Sequence, residues 1–338
     1  MINIHKSWLR PAQHYIEAMN SDWYRALLIL QSDIARFTEE FFRKRGMHST
    51  MLPITTTSIS SPMGLGSDSL PVSIEINGER TYLADSMQFM LEYALRLEPQ
   101  GVFYIMPSFR GEDHDTRHLN QFYHSEVEIC GDLQEVMGLV NQYVFFLASM
   151  LLKHSREALV LAGMTHPAHI EKFVLANGKI PEVRFSDAVL ELDMDPCYVQ
   201  QSQKGFLHIT NLGEKVLIKN YGGVVWLTHM PTLGVPFYQA DDPGDPEHSL
   251  TADLLMGFCE TVGCGERHTT QEDVRKALAR HQVAVQDYEW YITMKKLRPM
   301  HTSGFGMGVE RFILWLLDHD DIRDCQILPR LNGLNIIP

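Results

Sequence analysis

The segment from 102 to 130, VFYIMPSFRGEDHDTRHLNQFYHSEVEIC, constrains this chain more than any other. An apolar run enters it, a second strand-like run leaves it, and a loop crowded with charge joins them. That pattern predicts two strands that meet through a polar loop. Side chains alternate along an extended chain, so Arg110 and Glu112 fall on one face at the start of the loop. A strand needs none of this charge in order to fold. Arg110 is placed to neutralise a phosphate and Phe122 to stack on a flat ring, with a second arginine, Arg117, between them. An ordinary charged hairpin loop is the competing reading of this stretch taken alone.

The remaining patterns fix the fold class. Residues 21–45 predict a helix, opened by Ser21-Asp22 and closed before Gly46. GMHSTMLPITTTSI reads as extended chain, and VSIEINGERTYLAD as a hairpin turning at Asn77-Gly78. Helices are expected over 85–97, 133–163 and 271–297. GGVVWLTHMP and SLTADLLMGFCETVG are further strand candidates, and SGFGMGVERFILWLLDHD is a glycine-rich strand passing into a helix. Residues 164–222 carry a mixed, weaker signal and read as an inserted α/β subregion. Strands returning by hairpins, with helices in long blocks, predict an α+β fold: an antiparallel β-sheet flanked by helices rather than a doubly wound parallel sheet.

Charge narrows the partners. The formal net charge is −13, and an acidic chain works against binding a phosphate backbone. FRKR, ending at Arg45, and MKKLR, ending at Arg298, are the basic runs, and both read as solvated faces. The five cysteines are odd in number and too scattered for a zinc site, which points to reduced thiols. No apolar signal core opens the chain, and the run YVFFLASMLL is too short to cross a bilayer. The expectation is a cytoplasmic protein with no membrane partner and no nucleic acid.

Two further constellations bear on chemistry. In GFGMGVER, alternating glycines let a strand pass close under a flat ligand, and Arg311 begins a helix beside it. The spacing fits neither a dinucleotide fingerprint nor a P-loop. In ADLLMGFCE, Asp253 and Glu260 do not share a face of one straight strand. A turn or bulge at Gly257 would bring both carboxylates to one Mg²⁺ on bound phosphates; two unrelated surface acids are the competing reading.

Together these segments resemble the catalytic core of a class II aminoacyl-tRNA synthetase, in the aspartyl, asparaginyl and lysyl subgroup and most like the asparaginyl enzymes, including their stand-alone asparagine synthetase-related paralogues. GMHSTMLPI resembles the first motif of that class, which usually forms a dimer interface; SFRGED with RHLNQF resembles the second; GFGMGVERFILWLLDHDDIRDCQILPR resembles the third. The resemblance covers roughly 20–335 and implies one catalytic domain over 1–338, a homodimer, and ATP with Mg²⁺ as cofactors. It implies that Arg110 holds the α-phosphate and the substrate carboxylate, that Glu112 touches the adenine side, and that Arg117 and His118 hold the outer phosphates. Phe122 would stack on adenine, Arg311 would cover its other face and the γ-phosphate, and Asp253 with Glu260 would hold Mg²⁺. Arg110 and Arg311 are thus the implied catalytic residues.

For the substrate pocket the resemblance implies Ser86, Gln88, Glu126 and Arg267. Leu91 stands where aspartate-specific relatives carry a lysine, which favours an amide side chain, while Arg267 keeps an aspartate-like reading open. Ser61 stands where the family offers a glutamate to the substrate ammonium, so the amine is expected to be blocked, as in a peptide, or bound in another way. A single helix is expected before the first motif, and no anticodon-binding domain is expected. The expected activity is a tRNA-independent, adenylate-forming ligase. It would activate an Asp/Asn-type acid, free or peptidyl, with ATP and pass it to ammonia or another amine, giving an amide and in a further extension a nitrile. A minimal tRNA-charging enzyme and a non-catalytic regulatory paralogue are the alternatives.

Overall fold

A computed structural model describes residues 6–61, 65 and 69–337. The long N-terminal helix, α1 (Asp22–Arg43), buries Trp23, Leu27, Leu30, Ile34, Phe37 and Phe41, a stripe at three- and four-residue spacing. After it come β1 (His48–Ser49) and the hairpin β2 (Val72–Ile76) and β3 (Glu79–Leu83). That hairpin turns at Asn77 and Gly78, both at positive φ, as a two-residue turn of this twist requires. Helix α2 (Gln88–Leu95) precedes β4 (Val102–Phe109) and β5 (Gln121–Cys130), the two strands around the charged loop. Helix α3 (Leu133–His154) opens with a capping box between Asp132 and Glu135.

The 164–222 segment supplies β6 (Glu182–Arg184) and α4 (Asn211–Asn220). Strands β7 (Val224–Thr228), β8 (Thr251–Met256) and β9 (Cys259–Glu266) follow. Helices α5 (Gln271–Arg280) and α6 (Glu289–Leu297) then lead to β10 (Thr302–Gly308), which runs directly into α7 (Val309–Leu316). Among the described residues the main sheet has eight strands in the order β1-β4-β5-β10-β9-β8-β7-β6. Its interior pairings are antiparallel and only its two outer ones, β1 with β4 and β6 with β7, are parallel. The expected antiparallel α+β sheet is what forms. The 164–222 segment is woven into it through β6, and α4 packs across β7 and β9.

Alternation gives this sheet two unlike faces. One carries Phe103, Val127, Leu254, Val262, Phe305 and Met307 into a single large core with α1, α3 and α7. Helix α3 has the length and apolarity of a membrane span, and its face with Val136, Val140, Tyr143, Val144 and Leu147 lies in that core. The opposite face is polar. It presents Phe122, His124, Glu126 and Glu128 from β5, and in register beside them Gly308, Gly306 and Gly304 from β10. Gly263 and Gly265 of β9 pair with Gly306 and Gly304, which leaves a floor of strand without side chains.

Candidate functional site

On that polar face lie two cavities that share Arg110, His124, Glu260 and Gly306 in their walls. The first, about 300 Å³, collects Arg110, Arg117, His118, Phe122, Glu260 and Arg311. The second, about 330 Å³, collects Ser86, Gln88, Glu126, Asp253 and Arg267, with Asp85 beside them. The residues expected to clamp a nucleotide and those expected to hold an acid are therefore brought together, with Arg110 at the junction.

Arginine donors in the first cavity are under-satisfied. Arg110 Nε and both Nε and Nη1 of Arg117 are buried without a hydrogen-bond partner. Burying such donors is costly unless an acceptor arrives, and phosphate oxygens are acceptors of the right charge. The Arg110 guanidinium stands 5.7 Å from the centre of the Phe122 ring. The remaining Arg117 nitrogen, Nη2, donates to Glu214 at 2.6 Å. Burial raises the Glu214 carboxyl above its usual range, against the pull of Arg117. His118 is steadied by Asp115, whose Oδ1 lies 3.0 Å from the ring Nδ1. Glu112 departs from its expected place. Its carboxylate accepts from the Leu70 amide at 3.0 Å and sits 3.7 Å from Arg110, and it lines neither cavity.

The chain turns at Gly257, where a turn or bulge was expected, and a further bulge in the returning strand completes the acidic pair. Register slips between Leu254 and Leu255, so that Leu255 faces Glu260 while Asp253 faces Gly263. The slip turns Glu260 onto the face of Asp253. A Cβ built on Gly263 would lie 3.0 Å from Glu260 Oε1 and 3.5 Å from Asp253 Oδ1, so the two carboxylates converge above that glycine. Burial first, then the charges of Glu260 and Glu214, push the Asp253 carboxyl well above its usual range. Two repelling carboxylates beside unsatisfied arginines suit a hard, oxygen-seeking divalent cation shared with phosphate oxygens. Arg311 fixes one member of the pair, donating from Nη1 to the Glu260 main-chain oxygen at 2.9 Å and to Oε2 at 3.3 Å.

The floor of the second cavity explains the glycines. A Cβ on Gly304 would collide with Glu128 and come within 2.8 Å of Arg267 Nη2, and one on Gly306 would lie 3.1 Å from Glu126. Gly304 and Gly306 therefore admit the side chains of the neighbouring strand as well as a ligand. Arg267 is buried and forked onto Glu128 through Nε and Nη2, both at 3.2 Å, while Nη1 donates to Gln239 at 2.6 Å. Turned with its oxygen toward Arg267, the Gln88 amide accepts from Nε at 2.7 Å. Burial raises the Glu128 carboxyl to about 7, with Arg267 opposing it and Glu92 adding to it. Glu126 accepts from Ser86 Oγ at 2.6 Å and from the Tyr104 hydroxyl, and its Oε1 lies 3.1 Å from His124 Nδ1. Burial alone would raise it, yet His124, Ser86 and Tyr104 together hold it below its usual range. Leu91 is buried among Ala84, Met87 and Leu95, away from the cavity.

Ser61 lies at the edge of the second cavity, and its amide donates to Asp85 Oδ2 at 2.7 Å. Positions 62–64 and 66–68 of the stretch that follows lie outside the described residues. Sequence reasoning missed Asp85, His124, Glu128, Glu214 and Gln239. His124 and Glu128 carry a signal, the two-residue step from Phe122 through Glu126, whereas nothing local marks Glu214 or Gln239.

Residues 6–332 match the family described as tRNA synthetases class II (D, K and N). The chain belongs to that family. By that membership it is an ATP-dependent ligase, of the kind that forms AMP and pyrophosphate through an aminoacyl-adenylate. It is 25% identical to an asparagine–tRNA ligase of Thermoplasma acidophilum over 323 residues, 92% of this chain and 70% of that protein. To the asparagine–tRNA ligase of Pelotomaculum thermopropionicum the identity is 28%, over 90% of this chain and 69% of that one. Asparaginyl-tRNA synthetase of Pyrococcus horikoshii, solved with asparaginyl-adenylate, superposes with a TM-score of 0.83 at 24% identity, covering 92% of this chain and 69% of that structure. That likeness shows the shared fold.

Proposed function

We propose that this chain activates asparagine with ATP, forming asparaginyl-AMP and pyrophosphate, and then passes the acyl group to the 3′ end of a tRNA-like acceptor. The observation that carries the reading is the junction at Arg110, which lines both cavities. A substrate carboxylate there lies beside a nucleotide's α-phosphate. One carboxylate oxygen bonds to the α-phosphorus, the bond to the pyrophosphate oxygen breaks, and pyrophosphate leaves. The protein offers no nucleophile; it positions the reactants and stabilises charge. Arg110 would meet the α-phosphate, Arg117 and His118 the outer phosphates, Phe122 and Arg311 the two faces of adenine. Asp253 and Glu260 would hold Mg²⁺, which when bound offsets phosphate charge. At the other end Arg267 would donate to the side-chain carbonyl, and Glu128 and Gln239 would hold Arg267 in place.

The tRNA acceptor follows the activity of the relatives. The net charge of −13 supports a second acceptor class, ammonia or another amine, with no nucleic acid bound. Asparagine-dependent exchange of pyrophosphate into ATP without tRNA tests the first half-reaction: exchange with asparagine ahead of aspartate is expected, and none with either overturns the reading. Release of AMP on adding tRNA, or on adding ammonium instead, then assigns the acceptor.

A further inference from the structure

We propose that Asp85 holds the α-ammonium of the substrate, so that the site takes a free amino acid and rejects one whose amine is blocked. The inference rests on the adenylation reading above and assigns a ligand-binding role to a side chain outside the nucleotide clamp.

Any free amino acid brings an ammonium into the second cavity, and a buried cation without an acidic partner is costly. Among the described residues the acids in that wall are Asp85, Glu126, Asp253 and Glu260. Glu126 already faces His124 and accepts from Ser86 and Tyr104. Glu260 is tied to Arg311, and Asp253 stands beside it as the pair suited to a divalent ion. Asp85 alone meets neutral donors only: Oδ1 accepts from the Ser60 amide at 3.1 Å, and Oδ2 from Ser60 Oγ at 3.0 Å and the Ser61 amide at 2.7 Å. Among the described residues it forms no ion pair. A carboxylate offers about four lone-pair sites, so acceptor capacity remains, and the turn at Ser60-Ser61 fixes where it points. The residue is buried, at 5% exposure, which strengthens its attraction for a cation. Asp85, Arg110 and Arg267 then contact ammonium, carboxylate and side chain separately, and three contacts around one carbon also select its handedness.

The test is pyrophosphate exchange with asparagine, with 3-carbamoylpropanoate, which lacks the amine but keeps carboxylate and amide, and with N-acetylasparagine. Wild-type protein is expected to favour asparagine over either analogue on the order of 100-fold in kcat/KM, the usual scale for removing one partner of a buried charge pair. Asp85→Asn is expected to raise the KM for asparagine by a similar factor, to leave the KM for ATP within about threefold, and to change turnover of 3-carbamoylpropanoate little. A purely structural role would depress both acids alike, and that result, or an unchanged KM for asparagine, overturns the proposal. So does wild-type protein that uses N-acetylasparagine as well as asparagine, a comparison that needs no variant to fold. If wild-type protein exchanges with nothing, the adenylation reading fails. Calorimetry with asparagine then decides Asp85 separately: binding lost in Asp85→Asn upholds it, and equal binding or none in wild type overturns it.

Discussion

Arg110 carries an unsatisfied, buried Nε and lines both cavities. Its partners in the protein are weak, a carboxylate 3.7 Å away and the face of Phe122. Little of its charge is spent on folding, so truncation should cost activity and spare stability. We predict that Arg110→Ala lowers asparagine-dependent pyrophosphate exchange by roughly 10²- to 10³-fold, the scale for losing one preorganised donor to transition-state charge, with a melting temperature close to wild type. Arg110→Lys should restore little, because an ammonium cannot reproduce a planar fork. Among single residues the gathering of Arg110, Arg117, His118, Phe122 and Arg311 in one cavity was legible in sequence. Glu112 was read onto it from strand alternation, but the strand ends at Phe109 and the loop turns that carboxylate toward Leu70. Asp85 was passed over beside Ser86 because its role depends on the Ser60-Ser61 turn, distant in sequence.

At the scale of elements, the sheet's polar face works because four glycines meet across β9 and β10. Replacing Gly304 by Ala would press a methyl group into Glu128 and the backbone of Val127, neither of which can move without disturbing Arg267. We predict a loss of about 1–3 kcal/mol in stability, the usual cost of overpacking, measured by urea unfolding, together with weaker discrimination of asparagine from aspartate. The hairpins and the strand-to-helix passage at Gly308 were legible, since period-two alternation and turn residues are local properties. A turn or bulge was expected at Gly257, the obvious breaker, and Gly257 does make the tight turn, at φ 60°. The further bulge that turns Glu260 onto the face of Asp253 lies beyond it, opposite Leu254 and Leu255, and was not legible. Register depends on both strands, and one strand's sequence does not reveal it.

For the molecule as a whole, the 164–222 segment was the least legible part. It mixes short elements: β6 pairs with β7, Val199–Gln201 pairs with Leu207–Ile209, and α4 reaches the first cavity through Glu214. Stability should also carry a pH signature. His268 and His281 are buried, and that burial lowers each to about 4 from an ordinary 6.5. Depressed values mean that their contribution is whole above pH 6.5 and is lost as pH falls toward 4. Glu128, raised to about 7, acts in the opposite sense over an overlapping range. The variant difference is therefore the clean measure. Melting temperatures of wild type and His281→Gln should converge, with the variant gaining on wild type, as pH drops from 6.5 to 4. A constant offset would contradict the assignment.

The account stands or falls on whether the two cavities act as one site. A crystal structure with a sulfamoyl analogue of asparaginyl-AMP tests this directly. We predict adenine between Phe122 and Arg311, the phosphate mimic at Arg110, the side-chain amide at Arg267 and the ammonium at Asp85. An analogue confined to one cavity, or bound with Arg110 turned away from the phosphate mimic, would contradict it.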